Sequence, residues 1–86
     1  QNYPNPFNPT TTIKYDLPEA QSVQVMIYDI MGRKVRTLVN EFQDIGYRAI
    51  QWNATDDYGR PVSAGMYVYT IQAGDFRQVK KMVLLK

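Results

Sequence analysis

An all-β sandwich is the architecture this sequence predicts, and three observations predict it. Apolar and polar residues alternate with period two through a series of short runs. Turn residues interrupt those runs roughly every 8–12 positions. No run carries a 3.6-residue apolar stripe for longer than about two turns, so no helix of consequence is expected. Together these signals give five to seven short strands. The chain has 86 residues, which is one small domain. A domain of this size buries about 60–65% of the surface its unfolded chain exposes. That leaves room for one core and argues against a deep catalytic cleft beside it.

Residues 1–10 hold prolines at positions 4, 6 and 9. Proline fixes φ and holds the preceding residue extended, so a helix is excluded there. This lead has Tyr3 and Phe7 as anchors. It reads either as a rigid linker packed on the domain edge or as a docking segment. In residues 11–17, Ile13, Tyr15 and Leu17 alternate with polar partners as a half-buried strand, which Pro18 ends. Residues 22–30 form the second strand, with Val23, Val25 and Ile27 on one face and Gln24 and Met26 on the other. A turn through Asp29 and Gly32 leads into a third strand over 34–40, making a hairpin. Asp29 closes that turn with its side chain. Residues 41–46 read as a loop.

The fourth strand, 47–53, places Arg48, Ile50 and Trp52 on one face, and the single Trp is expected in the core. Residues 53–61 are a polar loop containing Asp, Gly and Pro. Gly65 opens the fifth strand, 66–73, where Tyr67, Tyr69 and Ile71 share a face. Gly74-Asp75 turns the chain into a last strand, 76–85. No internal sequence repeat is apparent.

The composition excludes much chemistry. There is no Cys and no His. Disulfides, thiol nucleophiles, imidazole bases and the commonest zinc ligands are therefore absent. Ser22 and Ser63 have no histidine to activate them, and no catalytic residue is assigned. The net charge of +2 is too small to argue for nucleic acid. No stretch reaches the roughly 18 apolar residues of a membrane helix. Asn53-Ala54-Thr55 is a glycosylation sequon by pattern only. Asp56 and Asp57 are weak metal candidates. They supply part of a calcium shell, but the Asp-x-Asp-x-Asp-Gly spacing is missing, and capping of their own loop is the plainer role. No cofactor is expected beyond that calcium option.

The end of the chain is more informative. Arg77, Lys80, Lys81 and Lys86 put four of the ten basic residues into the final ten positions, and no acid follows Asp75. Two readings stand side by side. Lysines on an edge strand discourage strand-to-strand aggregation. Alternatively, they form a recognition tail for an acidic receptor groove.

Several segments resemble one family in the same order. Tyr3-Pro4-Asn5-Pro6-Phe7-Asn8-Pro9 and Thr12-Ile13-Lys14-Tyr15-Asp16-Leu17-Pro18 look like the opening of C-terminal sorting domains of the bacterial type IX secretion system. Val25-Met26-Ile27-Tyr28-Asp29 with Gly32-Arg33-Lys34-Val35 resembles its central hairpin. Trp52-Asn53, Asp57-x-Gly59-Arg60-Pro61-Val62 and Ser63-Ala64-Gly65-Met66-Tyr67 resemble its second half. Lys80-Lys81-Met82-Val83-Leu84-Leu85-Lys86 resembles its basic-apolar finish. The second half is also similar to the immunoglobulin-like domain of the flagellar hook-capping protein. That relative lacks the Pro-Asn-Pro-Phe lead, so the lead favours the sorting family.

The resemblance implies an immunoglobulin-like or fibronectin-like β-sandwich of about seven short antiparallel strands over residues 11–86, behind a proline-rich lead or linker over 1–10. It implies a non-enzymatic domain that directs a secreted passenger to the cell surface or medium after transit through the periplasm. Its partners would be the outer-membrane translocon and its surface peptidase, and the recognition end would be Lys80, Lys81, Met82, Val83, Leu84, Leu85 and Lys86, with Arg77 extending the tail. The chain, which opens without an initiator Met or signal peptide, is read as a piece of a longer protein. A monomer that neither spans a membrane nor binds nucleic acid is expected. The rival is a carbohydrate-binding, adhesive or structural immunoglobulin-like module of a secreted enzyme, using Tyr28, Tyr47 or Tyr58.

Overall fold

The strand pattern becomes two sheets. A computed structural model of the chain describes residues 2–85. The strands are β1 (Thr11–Leu17), β2 (Gln21–Asp29), β3 (Lys34–Gln43), β4 (Gly46–Trp52), β5 (Gly65–Ala73) and β6 (Phe76–Leu84). β1 and β4 pair antiparallel as a two-stranded sheet. The other sheet has four strands in the order β3-β2-β5-β6, also antiparallel throughout. The described residues are thus all-β, with an immunoglobulin-type sandwich of six strands where about seven were expected.

The core lies between the sheets and follows the period-two pattern of the strands. Val23, Val25 and Ile27 of β2 and Tyr67, Tyr69 and Ile71 of β5 face it from one side, and Ile13, Leu17 and Trp52 from the other. Trp52 is fully buried. It meets Tyr67 edge-on at 5.3 Å between ring centroids and Phe7 tilted at 5.8 Å. Its indole N–H donates to the Thr55 carbonyl at 2.8 Å, so the one polar atom of the ring is satisfied.

Residues 41–43, expected in a loop, extend β3 instead. Their ladder with Gln21, Ser22 and Val23 continues past Asn40. Register shifts after Val25 and Ile27 bend the first half of β3, and residues 40–43 bury no face, which is why its full length is hard to read from side-chain polarity.

The proline-rich lead is part of the sandwich. Its prolines lack N–H groups, so it cannot sustain a ladder. It makes isolated bridges instead, Tyr3 with Thr12 and Phe7 with Leu84. Phe7 is 1% exposed, whereas Tyr3 is 80% exposed. The Tyr3 side chain is therefore no anchor. Its main chain is one, exchanging two 2.9 Å hydrogen bonds with Thr12. Asn2 is buried beside them and donates to Thr11 Oγ1 at 2.9 Å.

A Phe7→Ala substitution is expected to cost about 3–5 kcal/mol through lost burial and an unfilled cavity. That is a large share of the roughly 5–10 kcal/mol that hold a domain of this size together. Tyr3→Ala, at an exposed side chain, is expected to stay within about 0.5 kcal/mol. Urea unfolding of the three chains measures both.

Candidate functional site

The basic tail is the edge strand β6, and the pleat divides its residues between two faces. Met82 and Leu84 are fully buried in the core, with Lys80 half-buried on the same side. Arg77, Lys81 and Val83 point to the outer face, together with Val79. Leu85 follows the strand and is half exposed. Lys86 lies outside the described residues. The proposed recognition residues therefore form no single contiguous surface, and two of them hold the fold together.

The free edge of β6 is closed along its last residues by the lead. Asn5 sits between two prolines and uses its side-chain amide as a strand would use its main chain. Its Oδ1 accepts from the Val83 N–H at 3.0 Å, and its Nδ2 donates to the Lys81 carbonyl at 3.3 Å. Phe7 continues the seam: its N–H donates to the Val83 carbonyl at 3.0 Å, and its carbonyl accepts from the Leu85 N–H at 2.8 Å. Upstream of Lys81 the alternation leaves the main-chain groups of Arg77 and Val79 facing outward, with no partner on that side among the described residues.

Two identical turns lie at the same end of the strands as Met82, one joining β2 to β3 and the other beside the start of β3. Asp29-Ile30-Met31-Gly32-Arg33 and Asp56-Asp57-Tyr58-Gly59-Arg60 make the same bonds. In each, the Asp Oδ1 accepts from two main-chain N–H groups, Met31 and Arg33 or Tyr58 and Arg60, at 2.9 and 3.0 Å. The Arg Nε donates to Oδ2 at 3.0 or 3.1 Å. The Gly N–H donates to the Asp carbonyl at 3.0 Å. Gly32 and Gly59 have φ of 82° and 79°, where a side chain would be strained. The shared signal, Asp-x-x-Gly-Arg-x-Val, occurs at 29–35 and at 56–62 and was legible as a short repeat. The Asx turn expected at Asp29 is there, and so is the loop capping read for Asp56; that the two are one pattern went unread.

Asp56 is thus committed to its own turn. Asp57 turns elsewhere: its Oδ1 accepts from the Thr37 N–H at 2.9 Å and its Oδ2 lies 3.8 Å from Lys34 Nζ. Its own N–H donates to the Val35 carbonyl, so this loop covers the start of the β3 edge. The two carboxylates serve different donors. Among the described residues no group of three or more His, Cys, Asp or Glu side chains gathers to hold a metal.

The tyrosines proposed for glycan binding are dispersed. Tyr47 projects from the outer side of the two-stranded sheet, and Tyr28 from the outer side of the four-stranded one. Tyr58 lies in the loop, with the Arg60 guanidinium 5.0 Å from its ring centroid. They share no platform.

The family model described as "Secretion system C-terminal sorting domain" matches residues 1–85. Among solved structures, dimeric latent PorU from Porphyromonas gingivalis is similar with a TM-score of 0.76 and 25% identity, over 99% of this chain and 9% of that one. PorZ, described as an essential surface component of the type IX secretion system of the same organism, gives 0.70 and 21%, over 100% of this chain and 11% of that one. FlgD from P. aeruginosa gives 0.66 and 24%, over 86% and 58%. The last two show the fold alone. The chain spans a small part of PorU and of PorZ. No curated protein sequence matches it.

The twin turns predict an acid response. The Arg33 N–H, then the Arg33 side chain and the Met31 N–H, hold the Asp29 carboxyl below its ordinary value of 3.8. The Arg60 N–H and then Tyr58 and the Arg60 charge do the same for Asp56. A depressed carboxylate contributes stability that is complete above the unfolded value and is lost as pH falls through the folded one. Stability should therefore fall with acidification below pH 3.8. In an Asp29→Asn/Asp56→Asn chain that part of the slope should be missing. Urea unfolding across acidic pH tests this; parallel slopes in the two chains would refute it.

Proposed function

We propose, for a chain that belongs to the secretion system C-terminal sorting domain family, that the export machinery reads the folded domain at its last strand. The domain is the sorting tail of a protein exported by the type IX secretion system. It is non-catalytic, and the protein that carries it is secreted or displayed at the cell surface. Engagement with that secretion system follows from the family.

The finer reading concerns partners and route. The passenger crosses the periplasm, the outer-membrane translocon binds this domain, and a surface peptidase acts on it afterwards. The observation that carries the assignment to β6 is its position. It is one of the two edge strands of the larger sheet, and it places Arg77 and Lys81 in solvent on one face while Met82 and Leu84 hold it in the core. Such a strand presents side chains in a fixed register, which favours recognition of a preformed surface over recognition of a loose peptide. Any chemistry performed by the exported protein belongs to the passenger.

Truncation at Val79 is a poor test, because it removes Met82 and Leu84 from the core and unfolds the address with the fold. The better comparison is a reporter with a signal peptide, carried with and without the whole domain, in a bacterium with a working type IX system. The fusion is expected at the surface or in the medium, and the reporter alone in the periplasm. A fusion retained in the periplasm while its domain is folded would contradict the sorting reading.

A further inference from the structure

We propose that the machinery docks on the outer face of the four-stranded sheet, centred on β5 and β6, and that its partner there is a protein surface with an apolar centre and a rim of carboxylates. The proposal rests on the sorting reading and says which side of the domain performs it.

The pleat and the register build the face. Met26, Thr70 and Val79 lie in one cross-strand row, and Tyr28, Val68 and Lys81 in the next. Met66 and Val83 follow as a pair, and Gln72 sets Arg77 beside the first row. The centre is therefore apolar, and it is not covered: Val79 is 53% exposed and Met66 45%. The Asp29–Arg33 turn overhangs one end through Ile30. Beneath it runs an open groove of about 420 Å³ lined by Tyr28, Val68, Thr70, Arg77 and Val79 among others.

The charge on this face has one sign. The outward positions of β2, β5 and β6 hold no Asp or Glu, and the β3 residues paired with outward β2 positions are Lys34, Thr37, Asn40 and Phe42. Lys34 has an acid partner in Asp57. Among the described residues Arg77 and Lys81 form no ion pair and no side-chain hydrogen bond. Asp29 borders the groove, but its carboxylate is already taken by Met31 and Arg33. The opposite sheet differs, since Lys14 and Asp16 balance each other along β1.

Edge protection accounts for Arg77, which stands on the open part of the edge, and leaves Lys81 to be explained. Cations guard a strand by spoiling its free edge. Along 81–85 that edge is closed by Asn5 and Phe7, so Lys81 has nothing left to guard. The same seam blocks strand addition at the end of β6 and leaves the face as the accessible surface. Apolar area at the centre supplies affinity, and unpaired rim cations supply orientation and choice of partner. A second copy of the chain would bring like charges together, which disfavours it as the occupant.

The test uses the reporter fusion with single exposed changes, each reversing one charge. Arg77→Glu and Lys81→Glu, singly and together, are expected to lower export, the double variant by roughly tenfold or more, because like-charge contact is costly at an interface. Lys81→Arg should export normally. Lys14→Glu makes the same charge change on the other sheet and should export within about twofold of the parent. Thermal unfolding of each purified chain shows that the folds are equal. Normal export of the double variant would overturn the proposal, as would a loss with Lys14→Glu equal to that with Lys81→Glu. A chain dimer dispersed by Val79→Glu would assign the face to self-association and also overturn it. Failure of the unmutated fusion to leave the periplasm would instead remove the sorting reading beneath it.

Discussion

Phe7 stands in a segment with no ladder of its own, yet its ring is packed against Trp52 in the centre of the domain. Much depends on that contact. A two-stranded sheet is not stable alone in water, so β1 and β4 need something to hold them to the larger sheet. Trp52 at the end of β4 supplies the grip. It touches Tyr67 of β5 on one side and Phe7 on the other. The lead then ties both sheets along their open side, bonding through Tyr3 to β1 and through Asn5 and Phe7 to the end of β6. The prolines limit it to isolated bridges, and Asn5 compensates with a side chain that donates and accepts like a peptide group.

The closed seam changes how an address on the last strand can work. A strand whose edge is free can be read by adding another strand to it. Here the terminal part of that edge is occupied from within, and alternate side chains of the same strand are core. What remains for a partner is a pleated surface whose spacing is set by the pairing of β6 with β5 beside it. On the proposed reading the sorting signal is a property of the folded domain, and the stability of the seam is a condition for recognition.

Most of the fold was legible because burial in an antiparallel sandwich follows period two. Val23, Val25 and Ile27, Tyr67, Tyr69 and Ile71, and Trp52 all face the core as their alternation implied. The same rule separates Met82 and Leu84 from Lys81 and Val83 in the structure, a division that was not drawn from the sequence, where that ending was treated as one block. The extension of β3 was hidden because residues 40–43 bury no face, so they show no apolar-polar alternation of the kind that marks a half-buried strand. The depth of Phe7 was hidden for another reason. Extended proline-rich segments carry no periodic signal, so nothing local separates an aromatic that caps an edge from one that enters the core. The second Asp-x-x-Gly-Arg turn was visible in residue order, but a five-residue pattern is noticed only once its first copy has a structural meaning.

Hydrogen exchange at single amides tests the seam most directly. In the chain with its lead, the Val83 and Leu85 amides, bonded to Asn5 and Phe7, should exchange slowly. The outward-facing Arg77 and Val79 amides of the same strand should exchange fast. Substituting Asn5→Ala should release Val83 while the amides bonded to β5 stay protected. Val83 and Leu85 amides that exchange as fast as those of Arg77 and Val79 in the unmodified chain would contradict the account, because the edge of β6 would then be open.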